Sequence, residues 1–134
     1  MFYLRRLDDL PDSFVRLDDA KFPGCSLHPD SVWWGAYGPS GHVAGYTVLE
    51  LWTDGIGFLA RSWVAPRYRG HRLQRRMIWV RERHARKCGI KRLVSYTADQ
   101  NCQSANSLIR CGYRTYTPGE AWGVDGCTYW FKVL

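Results

Sequence analysis

The stretch from Val64 to Gln74, which reads Val-Ala-Pro-Arg-Tyr-Arg-Gly-His-Arg-Leu-Gln, decides the fold. An apolar strand pattern ends at Pro66, and a basic loop containing Gly70 then opens a helical pattern. The first turn of a helix offers unpaired N–H groups at the positive end of a dipole, and glycine lets the backbone approach an anion closely. The stretch therefore predicts a phosphate site at a strand-to-helix turn.

The charge distribution around this turn supports the same prediction. The chain of 134 residues has a net charge of +7, and residues 61–92 hold twelve of its 19 Lys and Arg residues together with a single acidic residue, Glu82. A charge distribution this uneven attracts anions to one region. Three interpretations stay open: a solvated basic helix face, a site for a phosphorylated cofactor, and a nucleic-acid interface.

Composition narrows the class of protein. The length fits one domain over residues 1–134, and 46% hydrophobic with 23% charged residues is a globular balance. No apolar run approaches the roughly 20 residues of a membrane span, and the first residues lack a signal-peptide layout. Five cysteines form no CxxC pair: Cys25, Cys88, Cys102, Cys111 and Cys127. We therefore expect a cytoplasmic location, reduced thiols, no metal site and no membrane partner.

The hydrophobic pattern predicts the element order β-α-β-β-β-α-β-α-β-β, which is an α+β or mixed α/β architecture. The predicted strands cover residues 2–7, 31–37, 43–52, 56–64, 91–98, 113–117 and 128–134. The predicted helices cover residues 8–21, 70–88 and 101–111. On the central helix, a stripe at steps of three and four residues is expected to be buried: Leu73, Met77, Val80, His84 and Cys88.

Two motifs in this order resemble the GNAT superfamily of N-acetyltransferases. Residues 64–73 are similar to the family's Val-x-Pro-x-Tyr-Arg-Gly-x-Gly-Leu, and Asn101, Ser104, Gly112 and Tyr113 match its second signature. The resemblance implies a mixed, mostly antiparallel central sheet flanked by helices. It also implies direct transfer of an acetyl group from acetyl-CoA to a primary amine in a ternary complex.

The resemblance also implies a set of cofactor-binding residues. A bulge in the fourth strand would splay it from the fifth, and the pantetheine arm would bind the exposed backbone of Ser62, Trp63 and Val64. The pyrophosphate would rest on the N–H groups of the loop and first helical turn: Arg69, Gly70, His71, Arg72, Leu73 and Gln74. Asn101 and Ser104 would face the pantetheine, although helix capping also explains an asparagine there. Arg72 departs from the family, which has a second glycine at this position.

The catalytic residues are less well defined by the motifs. Phe58 and Ala60 occupy positions where family members commonly keep a base, and Leu108 replaces a tyrosine that serves many members as the acid. Glu50, late in the third strand, is the nearest carboxylate and our candidate base, with an exposed strand residue as the alternative. Tyr96 is a candidate for holding a relay water, because a phenol with a pKa near 10 is a poor base.

The acceptor is expected to be an amine, either a small molecule or a protein N-terminus or lysine. Acidic residues in the first helix and near the last hairpin suggest a cationic acceptor: Asp8, Asp9, Asp12, Asp18, Asp19, Glu120 and Asp125. Trp33, Trp52 and Trp122 are candidates for its pocket. Two alternative functions remain, a basic nucleic-acid binding module, which is less favoured, and a CoA-binding domain with little catalysis. A homodimer is also left open.

Overall fold

A computed structural model describes residues 1–24 and 29–134, so Cys25 lies outside the described residues. The strands are β1 (Tyr3–Leu7), β2 (Ser31–Tyr37), β3 (Val43–Leu51), β4 (Ile56–Val64), β5 (Arg92–Ala98), β6 (Arg114–Tyr116) and β7 (Cys127–Val133). The helices are α1 (Asp12–Lys21), α2 (Leu73–Lys87) and α3 (Cys102–Arg110), and a short 3-10 turn, Pro66–Tyr68, precedes α2.

The seven strands form one mixed sheet in the order β1-β2-β3-β4-β5-β7-β6. The β4–β5 pair is parallel and the other neighbouring pairs are antiparallel. The predicted element order and fold class are confirmed. The predicted helix starts were too early: Pro11 is the N-cap of α1, and α2 begins only after Gly70 and Arg72, whose positive φ values are incompatible with an α-helix.

The helices cover opposite faces of the sheet. On one face, Phe14 of α1 packs against Trp33, Tyr46 and Val48. On the other face, α2 and α3 pack against a larger cluster that includes Trp34, Leu49, Leu59, Leu93 and Trp130. Trp33 is 7% exposed and stacks on Tyr46, so this candidate pocket residue belongs to the core under α1.

The buried face of α2 differs from the predicted stripe. Leu73 and Met77 are buried as predicted, but Val80 and His84 are only partly buried and Cys88 is exposed. The other buried positions of the helix are Ile78, Arg81, Glu82 and Ala85. The predicted stripe did not include the arginine and the glutamate, because charged residues usually lie at the surface.

Hydrogen bonds explain why these two charged residues tolerate burial. Arg81 donates from Nε to the Met77 carbonyl at 3.0 Å and from Nη1 to the Val48 carbonyl at 3.2 Å. Glu82 accepts from the Tyr113 hydroxyl at 2.8 Å and from Lys132 Nζ at 3.0 Å. Burial lowers the pKa of Arg81 to about 10, so its guanidinium still carries its charge at neutral pH.

No helix within residues 1–24 and 29–134 is both long enough and apolar enough to span a membrane. The described part of the chain also holds no group of three or more His, Cys, Asp or Glu side chains placed to bind a metal ion. Its four cysteines are free thiols.

Candidate functional site

The candidate site lies at a gap between the strands β4 and β5. The two strands pair only over Ile56–Arg92, Gly57–Leu93 and Phe58–Val94, and then separate. At the point of separation β4 carries a bulge, because Leu49 pairs with Leu59 and Val48 with Arg61, which leaves Ala60 without a partner on β3. The bulge that the resemblance implied is therefore present, and it opens one end of the sheet.

Buried polar side chains fix this bulge from both neighbouring strands. The Ser95 hydroxyl of β5 donates to the Leu59 carbonyl at 3.1 Å, and the Thr47 hydroxyl of β3 donates to the Arg61 carbonyl at 3.0 Å. Arg81 of α2 reaches the Val48 carbonyl on the same stretch of β3. Satisfied buried hydrogen bonds of this kind hold a backbone in one conformation. The gap is a fixed feature of the sheet.

A cleft of about 560 Å³ occupies the open end of the gap and is called the cofactor cleft below. It lies between the end of β4, the loop before α2 and the first turns of α2 and α3. Ten residues predicted from the sequence line it: Ser62, Trp63, Val64, Arg69, Gly70, Arg72, Leu73, Gln74, Asn101 and Ser104. The two motifs, which are 28 residues apart at their nearest ends, therefore meet across one cleft.

The N-terminus of α2 is open toward an anion. The first backbone hydrogen bond of α2 joins Arg76 N to Arg72 O. The N–H groups of the turn before Arg76 therefore have no carbonyl partner within the helix. Gly70 has φ +86°, and a Cβ atom built there meets no atom within 4 Å, which leaves the space above its backbone clear. These donors, the helix dipole and the surrounding guanidinium groups fit the pyrophosphate of acetyl-CoA.

Arg72 is held in a conformation that favours glycine. Its φ of +62° lies in the left-handed region, and it is the N-cap of α2 without a side-chain capping bond. An L-residue with a side chain is strained there by about 1–2 kcal/mol. The second glycine of the family motif would adopt this conformation without that strain, and in this chain arginine adopts it instead.

Sequence reasoning missed several residues of the cofactor cleft. The additional lining residues are Tyr68, Arg75, Gln103, Asn106, Ser107 and Arg110. Ser107 and Arg110 follow Ser104 at steps of three, so helical periodicity was the signal that could have identified these two residues. His71 was predicted to contribute its backbone, but it does not line the cleft among the described residues. Its ring instead lies 5.0 Å from that of Phe2.

Asn101 has the capping role that the sequence left open. Its Oδ1 accepts a hydrogen bond from the Ser104 N–H at 3.2 Å, at the first turn of α3. Both residues also line the cofactor cleft. Capping explains the local geometry, while the position beside the gap keeps these side chains available for a ligand.

A second cavity of about 540 Å³ continues the gap toward β3 and is called the acceptor cavity below. Four residues line both spaces: Ser62, Gln74, Asn101 and Ser104. Both predicted catalytic residues, Glu50 and Tyr96, line the acceptor cavity. The fold therefore brings the candidate base and the candidate relay residue together at one end of the gap. The predicted phosphate loop lies at the other end.

Glu50 is buried, with 8% of its surface exposed, so the alternative of an exposed strand residue is wrong. Its Oε1 accepts a hydrogen bond from Trp52 Nε1 at 2.8 Å. Glu50 is paired across the strands with Phe58, which also lines the cavity. A carboxylate beside aromatic rings in a partly enclosed space can accept a proton or hold a cation.

Aromatic rings surround Tyr96. Its ring lies 5.8 Å from that of Phe58 at an interplanar angle of 13°, and Trp122 meets both rings edge-on at 5.5 and 5.4 Å. Trp52 contacts Phe58 and Trp122. Trp52 and Trp122, two candidates for the acceptor pocket, do not line the cavity themselves but contact the rings that do. Leu108, also in the lining, is 5% exposed and offers no acidic hydrogen.

The acidic rim expected around the acceptor is weaker than the sequence suggested. Asp18 is buried and forms a salt bridge with Arg61, which lines the acceptor cavity. Asp18 also accepts a hydrogen bond from the Tyr46 hydroxyl at 2.6 Å, and burial together with this bond raises the pKa of Tyr46. Asp18 therefore joins α1 to the sheet and neutralises an arginine, which corrects its assignment to the rim.

Similar solved structures share the whole architecture. A Klebsiella pneumoniae protein assigned as an acyl-CoA N-acyltransferase is 20% identical, with a TM-score of 0.86 over 100% of this chain and 98% of that chain. A Bacillus subtilis acetyltransferase in complex with CoA is 11% identical, with a TM-score of 0.75 over 100% and 99%. The PaiA N-acetyltransferase from Thermoplasma acidophilum, in complex with coenzyme A, is 18% identical, with a TM-score of 0.68 over 92% and 68%. At these identities the likeness shows the fold.

The sequence itself identifies the family. A search of curated protein sequences gives no match. The sequence profile of the Acetyltransferase (GNAT) family matches residues 2–113, which is most of the chain. Members of this family use acetyl-CoA as their co-substrate, the molecule that the cofactor cleft was predicted to hold. The chain belongs to the GNAT acetyltransferase family.

Proposed function

We propose that this chain transfers an acetyl group from acetyl-CoA to the nitrogen of a primary amine. Both substrates bind together in a ternary complex on a single domain, residues 1–134. The observation that carries this proposal is the continuous gap between β4 and β5. It joins a basic cleft at the N-terminus of α2 to a cavity that contains a buried carboxylate, Glu50.

The cofactor cleft supplies binding and orientation. The backbone N–H groups of Gly70, Arg72, Leu73 and Gln74 hold the pyrophosphate, since the Arg69 N–H already donates to the Pro66 carbonyl. The splayed backbone of residues 62–64 holds the pantetheine arm. Arg75 and Arg110, which line the same cleft from two helices, add positive charge for the remaining phosphate oxygens. Acetyl-CoA supplies the acetyl group in activated form, as a thioester.

The acceptor cavity supplies the proton acceptor. A primary ammonium has no lone pair, so it must lose a proton before its nitrogen can attack. Glu50 takes that proton, directly or through a water held by the Tyr96 hydroxyl. The nitrogen then bonds to the acetyl carbon and releases its second proton to water. The carbon–sulfur bond breaks, and its electron pair stays on the CoA sulfur. Because Leu108 stands where an acid would be expected, the sulfur takes its proton from water.

The acceptor class, the oligomeric state and the cellular location are predicted from the sequence alone. The acceptor remains a small amine or a protein N-terminus or lysine, and the homodimer and the cytoplasmic location stay predictions from the sequence. A CoA-binding domain with little catalysis is the second candidate, and Leu108 at the position of the usual acid favours it. Turnover distinguishes the two.

The test combines ligand binding with product detection. We expect acetyl-CoA at micromolar to millimolar concentration to raise the melting temperature. With a panel of primary amines, mass spectrometry should detect one added acetyl group on at least one amine. Stabilisation without any acetylated product would leave only the CoA-binding domain. Absence of stabilisation, combined with oligonucleotide binding that weakens steeply with salt, would favour the nucleic-acid module instead.

A further inference from the structure

The acceptor cavity has an aromatic lining in addition to its carboxylate. Three aromatic side chains contribute to it: Phe22, Phe58 and Tyr96. The rings of Phe58 and Tyr96 are stacked with an offset, at an interplanar angle of 13° and with centroids 5.8 Å apart, and this pair is called the aromatic wall below. Flat aromatic surfaces pack best against other flat apolar groups.

A second layer of indole rings fixes this wall. Trp52 lies 5.1 Å from Phe58, and Trp122 lies within 5.5 Å of both wall rings at nearly perpendicular angles. Trp122 is itself tied by its Nε1, which donates to the Tyr116 hydroxyl at 3.2 Å. Because the rings are held from behind, they present a preformed surface to a ligand.

The carboxylate lies directly beside the wall. Glu50 is the cross-strand partner of Phe58, which places the Cβ atoms of the two residues about 5 Å apart on one face of the sheet. The Trp52 indole N–H holds Oε1 of Glu50 in place at 2.8 Å. An ammonium beside Glu50 and a ring on Phe58 can therefore belong to one small molecule in which a short stem joins them.

The charges of the cavity oppose a polycation. Its charged lining residues among those described are one carboxylate, Glu50, and two guanidinium groups, Arg61 and Arg81. Asp18 neutralises Arg61 by the salt bridge, and Arg81 remains charged within hydrogen bonds to carbonyl groups. A second ammonium on the acceptor would approach guanidinium groups without meeting a second carboxylate in the lining.

We propose that the acceptor is a monoamine whose single primary amino group is joined by a short stem to a flat aromatic ring. This inference rests on the proposed acetyltransferase function and specifies its substrate class. The ammonium lies at Glu50 and the ring lies against Phe58 and Tyr96. The overall reaction converts the arylalkylammonium and acetyl-CoA into the N-acetyl amide, CoA in its thiol form and one released proton.

The first arm of the test compares three amines on the wild-type protein. These are 2-phenylethylamine, 2-cyclohexylethylamine, which has the same stem but a saturated and puckered ring, and spermidine, which is a flexible polycation. We expect kcat/KM to be highest for 2-phenylethylamine, about five- to tenfold lower for the cyclohexyl compound, and lowest for spermidine.

The second arm uses a matched pair of variants. Phe58→Leu keeps an apolar side chain in the wall but removes the ring. Phe131→Leu makes the same change in β7, where Phe131 contacts Tyr116 and Arg92 and is outside the cavity lining. The ratio of kcat/KM for 2-phenylethylamine over 2-cyclohexylethylamine should fall several-fold in Phe58→Leu, through KM, and stay within about twofold in Phe131→Leu.

The outcomes separate this inference from the function on which it rests. Turnover of spermidine equal to or faster than that of 2-phenylethylamine overturns the substrate class and leaves the acetyltransferase intact. A wild-type ratio near one, or a ratio unchanged in Phe58→Leu, does the same. If acetyl-CoA stabilises the protein but no amine of the wider panel is acetylated, the proposed function fails and this inference fails with it.

Discussion

The cofactor cleft and the acceptor cavity share one gap, but the chain builds them differently. The cofactor cleft comes from two continuous stretches, residues 62–75 and 101–110, and its main donors are backbone groups whose positions follow from local conformation. The acceptor cavity collects Phe22, Glu50, Phe58, Tyr96 and Leu108 from five separate parts of the chain. A site built from contiguous backbone can be recognised as a sequence motif. A site built from side chains that are distant in the sequence has no such motif.

The largest expected effect tests the acceptor side alone. Glu50→Gln keeps the size and the hydrogen-bond acceptor for Trp52 but removes the base. We expect kcat to fall by about 10²-fold or more, the usual range for a lost general base, with acetyl-CoA affinity unchanged. Turnover on one working amine and acetyl-CoA binding by calorimetry measure the two quantities.

A pH profile identifies how the variant fails. Primary alkyl amines have pKa values near that of lysine, about 10.4, so a higher pH supplies more neutral amine from solution. Glu50→Gln should therefore recover part of its rate as the pH rises, relative to the wild type. If Glu50→Gln loses acetyl-CoA affinity, or keeps wild-type turnover, the assignment of the base to the acceptor cavity and of acetyl-CoA to the cofactor cleft is wrong.

The next effect tests the cofactor side. Gly70→Glu places a negative charge where the pyrophosphate is expected, and we predict at least about tenfold weaker acetyl-CoA binding from charge repulsion. Gly41→Glu is the matched control, because Gly41 has a similar φ, +81°, and equally open surroundings in the β2–β3 turn. It adds the same charge and a similar backbone strain away from the cleft.

Comparison of these two variants separates strain from position. Both should lose similar stability, since both place a side chain in the left-handed region. Only Gly70→Glu should weaken acetyl-CoA binding. Wild-type affinity in a folded Gly70→Glu protein would show that the phosphate assignment is wrong.

A smaller effect concerns the stability of the phosphate loop. Arg72→Gly relieves about 1–2 kcal/mol of left-handed strain but costs up to about 1 kcal/mol through the greater freedom of glycine in the unfolded chain. We expect a net gain of roughly 0.5–1 kcal/mol in the free energy of unfolding, measured by urea titration without ligand. The family's glycine would then be the more stable choice.

Asp54→Gly provides the control for this gain. Asp54 is the other non-glycine residue with positive φ among those described, at +61°, in the β3–β4 turn. Aspartate tolerates the left-handed region better than arginine, so relief and cost should nearly cancel. If Asp54→Gly raises the free energy of unfolding as much as Arg72→Gly does, the gain at Arg72 does not come from strain specific to arginine.

The same contrast explains what the sequence predicted well. The element order followed from the hydrophobic pattern, and the bulge and ten lining residues of the cofactor cleft followed from the family resemblance that two motifs carry. The buried pair Arg81–Glu82 was missed because its partners come from β3, Tyr113 and β7, which no periodicity within α2 can reveal. Asp18 was misassigned for the same reason, since Arg61 lies 43 residues away in the sequence.

The smallest expected effect lies inside the acceptor cavity, at Tyr96. Tyr96→Phe keeps the ring and its stacking on Phe58 and removes only the hydroxyl proposed to hold a relay water. Loss of one hydrogen bond of about 0.5–1.5 kcal/mol should lower kcat by about two- to tenfold, less than Glu50→Gln.

Tyr3→Phe is the control, because it removes an exposed tyrosine hydroxyl in β1, outside the lining of both cavities. It should leave kcat within about twofold. The decisive measurement is the pH–rate profile of the wild type, Glu50→Gln and Tyr96→Phe on one amine. If the three profiles superimpose, neither side chain handles the proton. The amine would then lose its proton to bulk water before it binds, and the acceptor cavity would contribute position alone, as the cofactor cleft does.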